Sequence, residues 1–169
     1  MFGSAVTMEE VYAWGNGFNR WGFDDFNGDG NGFKLGITDN PPANHVVRNC
    51  MAFANAEKGF IDNGNPGELI VERNTAWNNG DVGFHFRSST SELVGNVAAV
   101  NVGASQVTLV SSVKASENSW QAGSWSNGSF ESVDASVLQG LRRADRRVKA
   151  SGFLVPVGKD IGATTRADV

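Results

Sequence analysis

Asn49-Cys-Met-Ala-Phe-Ala-Asn55, Arg73-Asn-Thr-Ala-Trp-Asn-Asn79 and Asn96-Val-Ala-Ala-Val-Asn101 are near copies of one phrase. A stretched first copy ends in Tyr12-Ala-Trp-Gly-Asn16. One alanine therefore recurs at Ala13, Ala52, Ala76 and Ala98, and one asparagine at Asn16, Asn55, Asn79 and Asn101. Both columns step by 39, 24 and 22 residues. A period of this length means one supersecondary unit per repeat, and such a unit buries its apolar face only against stacked neighbours. The unit is a coil of a solenoid.

Within each copy the apolar residues alternate instead of falling at helical spacing, so the coils are made of strands. Gly32-Phe-Lys-Leu35 buries Phe33 and Leu35 and turns Lys34 outward. Gly59-Phe-Ile-Asp62 and Gly83-Phe-His-Phe86 likewise bury Phe60 and Phe84 and expose Ile61 and His85. Glycine and asparagine clusters such as Asn63-Gly-Asn-Pro-Gly67 and Asn78-Asn-Gly80 punctuate these runs, and both residue types tolerate the positive φ of tight corners. Stacked strands lie about 4.8 Å apart, so the asparagine column is expected to form a ladder of amides along the axis. The alanine column is read as packing, since small residues fit where sheets approach closely. There is neither a leucine-rich consensus nor long helical periodicity. The fold expected is all-β, a right-handed parallel β-helix of about four to five coils; the handedness follows the crossover preference of parallel strands.

Composition agrees with this. The 169 residues suit one domain, and 11 Phe with 5 Trp supply large side chains for the interior. Net charge is −4 and the pI is near 5.1, so nothing draws the protein generally to nucleic acid. No run of about 18 apolar residues suggests a membrane span. The opening Met1-Phe-Gly-Ser-Ala-Val-Thr7 lacks the basic-then-apolar pattern of a leader. Cys50 is the single cysteine and is read as a small buried hydrophobe.

From about Gly103 the repeat fades. Val107–Val113 still reads as a strand, and Glu117-Asn-Ser-Trp120 is expected to close a coil with its indole against the stack. Residues 1–125 are taken as the coils and 126–169 as a C-terminal cap over the open end, with a short helix or turn-rich segment at Leu138–Val148. The first coil lacks an obvious cap, and its strand edges invite self-association with a second copy.

Gly28-Asp-Gly-Asn-Gly-Phe-Lys-Leu-Gly36 resembles the lysine-bearing coil of family 9 polysaccharide lyases, the pectate lyases built on a right-handed β-helix. The resemblance continues through His45-Val-Val-Arg-Asn-Cys-Met-Ala-Phe53, Thr75-Ala-Trp-Asn-Asn-Gly80 and Asn118-Ser-Trp120 to Ser151-Gly-Phe-Leu-Val-Pro156 and Asp160-Ile-Gly162. It implies a secreted enzyme that cleaves acidic, uronate-containing polysaccharide by β-elimination, with Lys34 as the base and Ca²⁺ assisting. The family's primary calcium aspartates sit on coils preceding the lysine's coil, and this chain starts almost at that coil. Three explanations stay open: the chain is a fragment of a longer lyase, a divergent protein has lost the site, or the metal is held elsewhere. The alternative function is a non-catalytic carbohydrate-binding or structural β-helix that has lost the calcium site.

A metal site elsewhere can be named. Asp25, Asn27 and Asp29 fall at the first, third and fifth positions of an EF-hand-like loop with Gly30 at the sixth, although Gly36 stands where a bidentate glutamate is expected. The loop lies within an insertion that makes this corner 12 residues longer in the first coil than in the others. On the outward column, Ile61 and His85 follow Lys34, with His85 about 10 Å away over two strand spacings. Lys34, His85 and Arg87 are expected to form a cationic strip that binds successive carboxylates.

Overall fold

The computed structural model describes residues 4–139 and 151–164. Thirteen short strands follow one another: β1 (Thr7–Glu9), β2 (Tyr12–Trp14), β3 (Phe33–Lys34), β4 (Val46–Arg48), β5 (Met51–Phe53), β6 (Phe60–Ile61) and β7 (Ile70–Glu72). They continue with β8 (Thr75–Trp77), β9 (Phe84–Phe86), β10 (Glu92–Val94), β11 (Val97–Ala99), β12 (Val107–Leu109) and β13 (Lys114–Ser116). Every third strand pairs in parallel, giving three sheets in the orders β1-β4-β7-β10-β13, β2-β5-β8-β11 and β3-β6-β9-β12. The architecture is a right-handed parallel β-solenoid of about four turns.

The expected columns are in register. Ala13 pairs with Ala52, Ala52 with Ala76 and Ala76 with Ala98. Phe33, Phe60 and Phe84 stack with centroids 4.7 and 4.9 Å apart, and the Trp120 indole closes the row 5.4 Å from Phe84. Opposite them Val47, Val71 and Leu93 fill the interior from the first sheet. That first sheet gives each coil a third strand. Only its Val46-Val47 segment stood inside a recognised phrase, and β13 was not anticipated. The strand expected over Val107–Val113 stops at Leu109, where the chain turns into β13.

Two corners of each coil share one device. A single left-handed residue ends the strand, and an asparagine follows it except after the first sheet in the first two coils, where Val11 follows Glu10 and Cys50 follows Asn49. After the second sheet these pairs are Gly15-Asn16, Ala54-Asn55, Asn78-Asn79 and Val100-Asn101; after the first sheet they include Arg73-Asn74, Gly95-Asn96 and Glu117-Asn118. Positive φ at Val100, a β-branched residue, is costly by itself. The amides supply what offsets it. Asn55 Nδ2 donates to Asn79 Oδ1 at 2.9 Å, Asn79 Nδ2 to Asn101 Oδ1 at 2.8 Å, and Asn101 Nδ2 to Gln106 Oε1 at 3.0 Å.

A second ladder, not foreseen, runs from Asn74 to Asn96 to Asn118 at 3.0 and 2.9 Å and ends on Gln121 Oε1 at 3.1 Å. Each ladder therefore terminates in a glutamine, whose longer amide reaches back to the last asparagine. Cys50 heads the second ladder by donating its backbone N–H to Asn74 Oδ1 at 2.9 Å. Its side chain is buried as expected, and burial pushes the thiol up to about 11.

The C-terminal segment takes a different place from the one expected. Its described residues lie along the outer face of the second sheet, where Phe130, Phe153, Leu154 and Ala163 cover Met51, Phe53, Val97 and Ala99. Arg73 pairs with Asp160 at 2.7 Å, and Thr164 N–H donates to Asn49 Oδ1 at 2.8 Å. The outer face of that sheet is apolar and needs covering, while Trp120 already packs on Phe84 at the end of the stack. Of the helix expected at Leu138–Val148, residues 140–148 lie outside the described residues; Ala135–Leu138 forms a 3₁₀ turn. Among the described residues no helix is long and apolar enough to cross a membrane.

Candidate functional site

The third sheet has one buried face and one open face. Phe33 and Leu35 are buried on either side of Lys34, whose side chain is 47% exposed. Pleating alone dictates this, since neighbours along a strand point to opposite faces. Lys34 pairs in register with Ile61, Ile61 with His85, and His85 with Thr108. The outward column was thus legible from the sequence. Beside it runs an open groove of about 340 Å³ lined by Thr38, Ile61, Asn63, His85, Arg87 and Ser88 among others.

Arg87 lies one residue past β9, and its position is fixed by a residue that sequence reasoning missed. Asp62 is 2% exposed, and its Oδ2 accepts the backbone N–H groups of Arg87, Ser88 and Ser89 at 2.8, 2.7 and 3.1 Å, as well as the Ser89 hydroxyl at 3.1 Å. A buried carboxylate needs such a set of donors. The turn carrying Arg87 is consequently held from the coil before it. No repeat marks this contact; its only signal was an acidic residue at an inward position of Gly59-Phe-Ile-Asp62.

His85 does not contribute a positive charge near neutral pH. Burial, then the cations Lys58 and Arg87, hold its imidazole below the ordinary histidine range, outweighing Asp62 and Asp81. Its Nδ1 is buried and, among the described residues, has no hydrogen-bond partner. The expected cationic strip reduces to Lys34 and Arg87 with a neutral imidazole between them. On the far side Lys58 sits between Asp81 and Glu57 at 2.8 and 3.4 Å. Desolvation would lower the Lys58 ammonium, but the hydrogen bond and charge of Asp81 overrule it and raise it.

Asp29 and Lys34 meet directly. The lysine Nζ donates to Asp29 Oδ2, while Asn31 donates its backbone N–H and side-chain amide to Oδ1. The hydrogen bond from Lys34 holds the Asp29 carboxyl below the usual carboxylate range. Both oxygens of one expected calcium ligand are therefore engaged. Asp25 and Asn27 remain exposed on the loop. Among the described residues no three His, Cys, Asp or Glu side chains form a group suited to a metal. Asp25, Asn27 and Asp29 do not complete a calcium shell: they offer two carboxylates, and an ion at Asp29 would have to displace the lysine amine.

Comparison with known proteins gives a consistent set of likenesses. Residues 1–118 match the family described as Pel9A-like, right handed beta helix region. The chain is 52% identical over 169 residues to pectate lyase PEL9 of Emericella nidulans, covering 97% of this chain and 41% of that protein. It is 37% identical over 141 residues to pectate lyase L of Dickeya dadantii, covering 83% of this chain and 33% of that protein. The crystal structure of pectate lyase Pel9A superposes with a TM-score of 0.80 at 32% identity, over 94% of this chain and 40% of that one. A rhamnogalacturonan lyase, 22% identical with a TM-score of 0.76, shares the fold. The chain spans roughly two fifths or less of the curated relatives it matches.

Proposed function

The chain belongs to the Pel9A-like right-handed β-helix family, and on that premise we propose that it acts as an extracellular polysaccharide lyase on acidic, uronate-containing polymers such as pectate. The single observation carrying this reading is Lys34, an amine held out to solvent between buried Phe33 and Leu35, on the sheet face that leads to Arg87.

In the reaction, Lys34, once its ammonium has given a proton to solvent, takes the proton from carbon 5 of a uronate. The electron pair of that C–H bond forms the double bond between carbons 4 and 5. The C4–O bond breaks, and the glycosidic oxygen leaves with its pair and takes a proton from water. A base with a movable proton at this point contributes about 10²–10⁴-fold. Arg87, fixed by Asp62, pairs with a substrate carboxylate, and His85 contacts the polymer as a neutral hydrogen-bonding group. Asp29 holds the amine at rest and lets it go when the substrate enters.

The test is absorbance of the unsaturated uronate on polygalacturonate, with and without added calcium, for the parent chain and Lys34→Ala. Activity in the parent that Lys34→Ala abolishes supports the reading, and equal rates in both would remove the mechanism. The engagement of Lys34 by Asp29 favours a second reading, a carbohydrate-binding solenoid without turnover. Binding of polygalacturonate by the parent with no product under either condition would select it.

A further inference from the structure

Among the described residues Trp21 is the most exposed of the large apolar side chains, at 77%, and Phe23 and Phe18 on the same insertion are 59% and 49% exposed. Ordinarily a side chain of this size on a long insertion is turned inward. Here the turn is built to hold it out. Asn19 Nδ2 donates to the Phe23 carbonyl at 2.8 Å while Asn19 Oδ1 accepts the Phe23 N–H at 3.0 Å, closing residues 19–23 into a ring of backbone. Gly22 at φ +68° makes the reversal, a conformation that favours glycine, and the Arg20 N–H donates to the Phe18 carbonyl at 2.8 Å.

Arg20 adds the second half of the chemistry. Its guanidinium lies over Gly15, where any Cβ would collide with it. Among the described residues no carboxylate pairs with it. The same insertion returns to the site at both ends of its base: Asn16 Nδ2 donates to the Asn31 carbonyl at 3.2 Å, and Asp29 binds the Lys34 amine. An exposed indole and, on the preceding residue, a guanidinium with no carboxylate partner among the described residues, both on a loop anchored at Lys34, suit a ligand with an apolar ring face and a carboxylate. The indole packs on the C–H face of a pyranose, and the planar guanidinium takes the carboxylate in a bidentate pair.

We propose that Arg20 and Trp21 form a separate sugar-binding position for an acidic polysaccharide, with Trp21 stacked on a pyranose ring and Arg20 paired with a uronate carboxylate of the same polymer. This rests on the reading of the substrate as a polyuronate and extends it from the third sheet to the inserted loop.

The experiment is titration of the full chain with polygalacturonate oligomers and with a neutral galactan, followed by calorimetry and by tryptophan fluorescence. Trp21→Ala should weaken binding to the oligomers roughly tenfold, as truncation of an interface anchor does, and Trp21→Phe should restore most of it. Arg20→Ala should weaken it in a salt-sensitive way and narrow the preference over galactan. Both variants are exposed and should keep the parent melting temperature. Unchanged oligomer affinity in Trp21→Ala and Arg20→Ala would overturn the proposal while leaving the polyuronate reading intact. Oligomer and galactan bound equally by the parent would overturn the role of Arg20. Failure of the parent to bind either polymer would overturn both the proposal and the substrate reading. A parent whose tryptophan signal depends on protein concentration and not on sugar would assign the surface to a second copy instead.

Discussion

The corner after the second sheet is built in two ways in this molecule. In the later coils it closes in a few residues, and Asn55, Asn79 and Asn101 pass their amides from coil to coil. In the first coil the same corner opens into the long insertion. Asn16 still joins the column by donating its backbone N–H to Asn55 Oδ1 at 3.2 Å, but its side-chain amide crosses the base of the loop to Asn31. A ladder that continues consumes every polar group in holding the stack. Where it ends, an asparagine is released to anchor a loop, and that loop brings Asp29 to Lys34. The proposed site lies beside the one corner where the insertion interrupts the side-chain amide ladder.

The largest expected effect breaks the open end of that comparison. Lys34→Ala should lower the rate of product formation on polygalacturonate by about 10²–10⁴-fold, the range of a general base. The melting temperature should stay put, because Lys34 supports nothing in the core. A variant retaining a tenth of the parent rate would mean that another group takes the proton.

The closed end responds in stability. Asn79→Ala removes the acceptor of the Asn55 N–H and Asn55 Nδ2, and the donor to the Ala52 carbonyl at 3.0 Å, all of them buried. Each stranded buried group costs about 1–3 kcal/mol, so a loss of about 3 kcal/mol or more is expected in denaturant unfolding. That is roughly two decades in the folding constant. Asn16→Ala should cost clearly less, since its amide sits at the part-buried base of the loop. Equal losses would deny that the two corners differ.

Asp29 tests the contact between loop and site. If it positions and releases the amine, Asp29→Ala should change kcat by less than about tenfold, well short of the loss of an essential base. Added calcium should also produce the same fractional response in Asp29→Ala as in the parent. A calcium response abolished by this one substitution would restore Asp29 to the metal role that its spacing with Asp25 and Asn27 suggested.

Much of this was legible because identical residues recur at positions that touch. The alanine, asparagine and phenylalanine columns could be read as soon as one strand was aligned to the next. The second ladder was obscured at its head, where Cys50 stands in place of an asparagine and contributes only its backbone. The first sheet was harder because Val47, Val71 and Leu93 are flanked by dissimilar outward residues. Asp62 acts across 25 to 27 residues on a turn with no repeated partner, so only coordinates reveal it. Loop spacing suggested metal ligands at Asp25, Asn27 and Asp29, whereas the Asp29 carboxylate is met first by a lysine five residues on. The flank position of the C-terminal segment had no periodic signal, because it fits a surface that the coils create.

The smallest effect concerns His85, whose charge the sequence could not give because it depends on burial and on Lys58 and Arg87. The folded group titrates below its unfolded value of about 6.5, so the unfolded chain takes up the proton first. Stability from this residue is complete above that pH and is lost as the pH falls below it toward the folded value. His85→Gln should therefore flatten the decline in melting temperature between about pH 7 and 5. The slope should not vanish, because burial lowers His45 in the same way. Asp29 and Asp81, held low chiefly by Lys34 and Lys58, add losses only at more acid pH. An unaltered slope in His85→Gln would mean that folding leaves the imidazole unshifted, and a steeper decline would return it, charged, to the cationic strip beside Lys34.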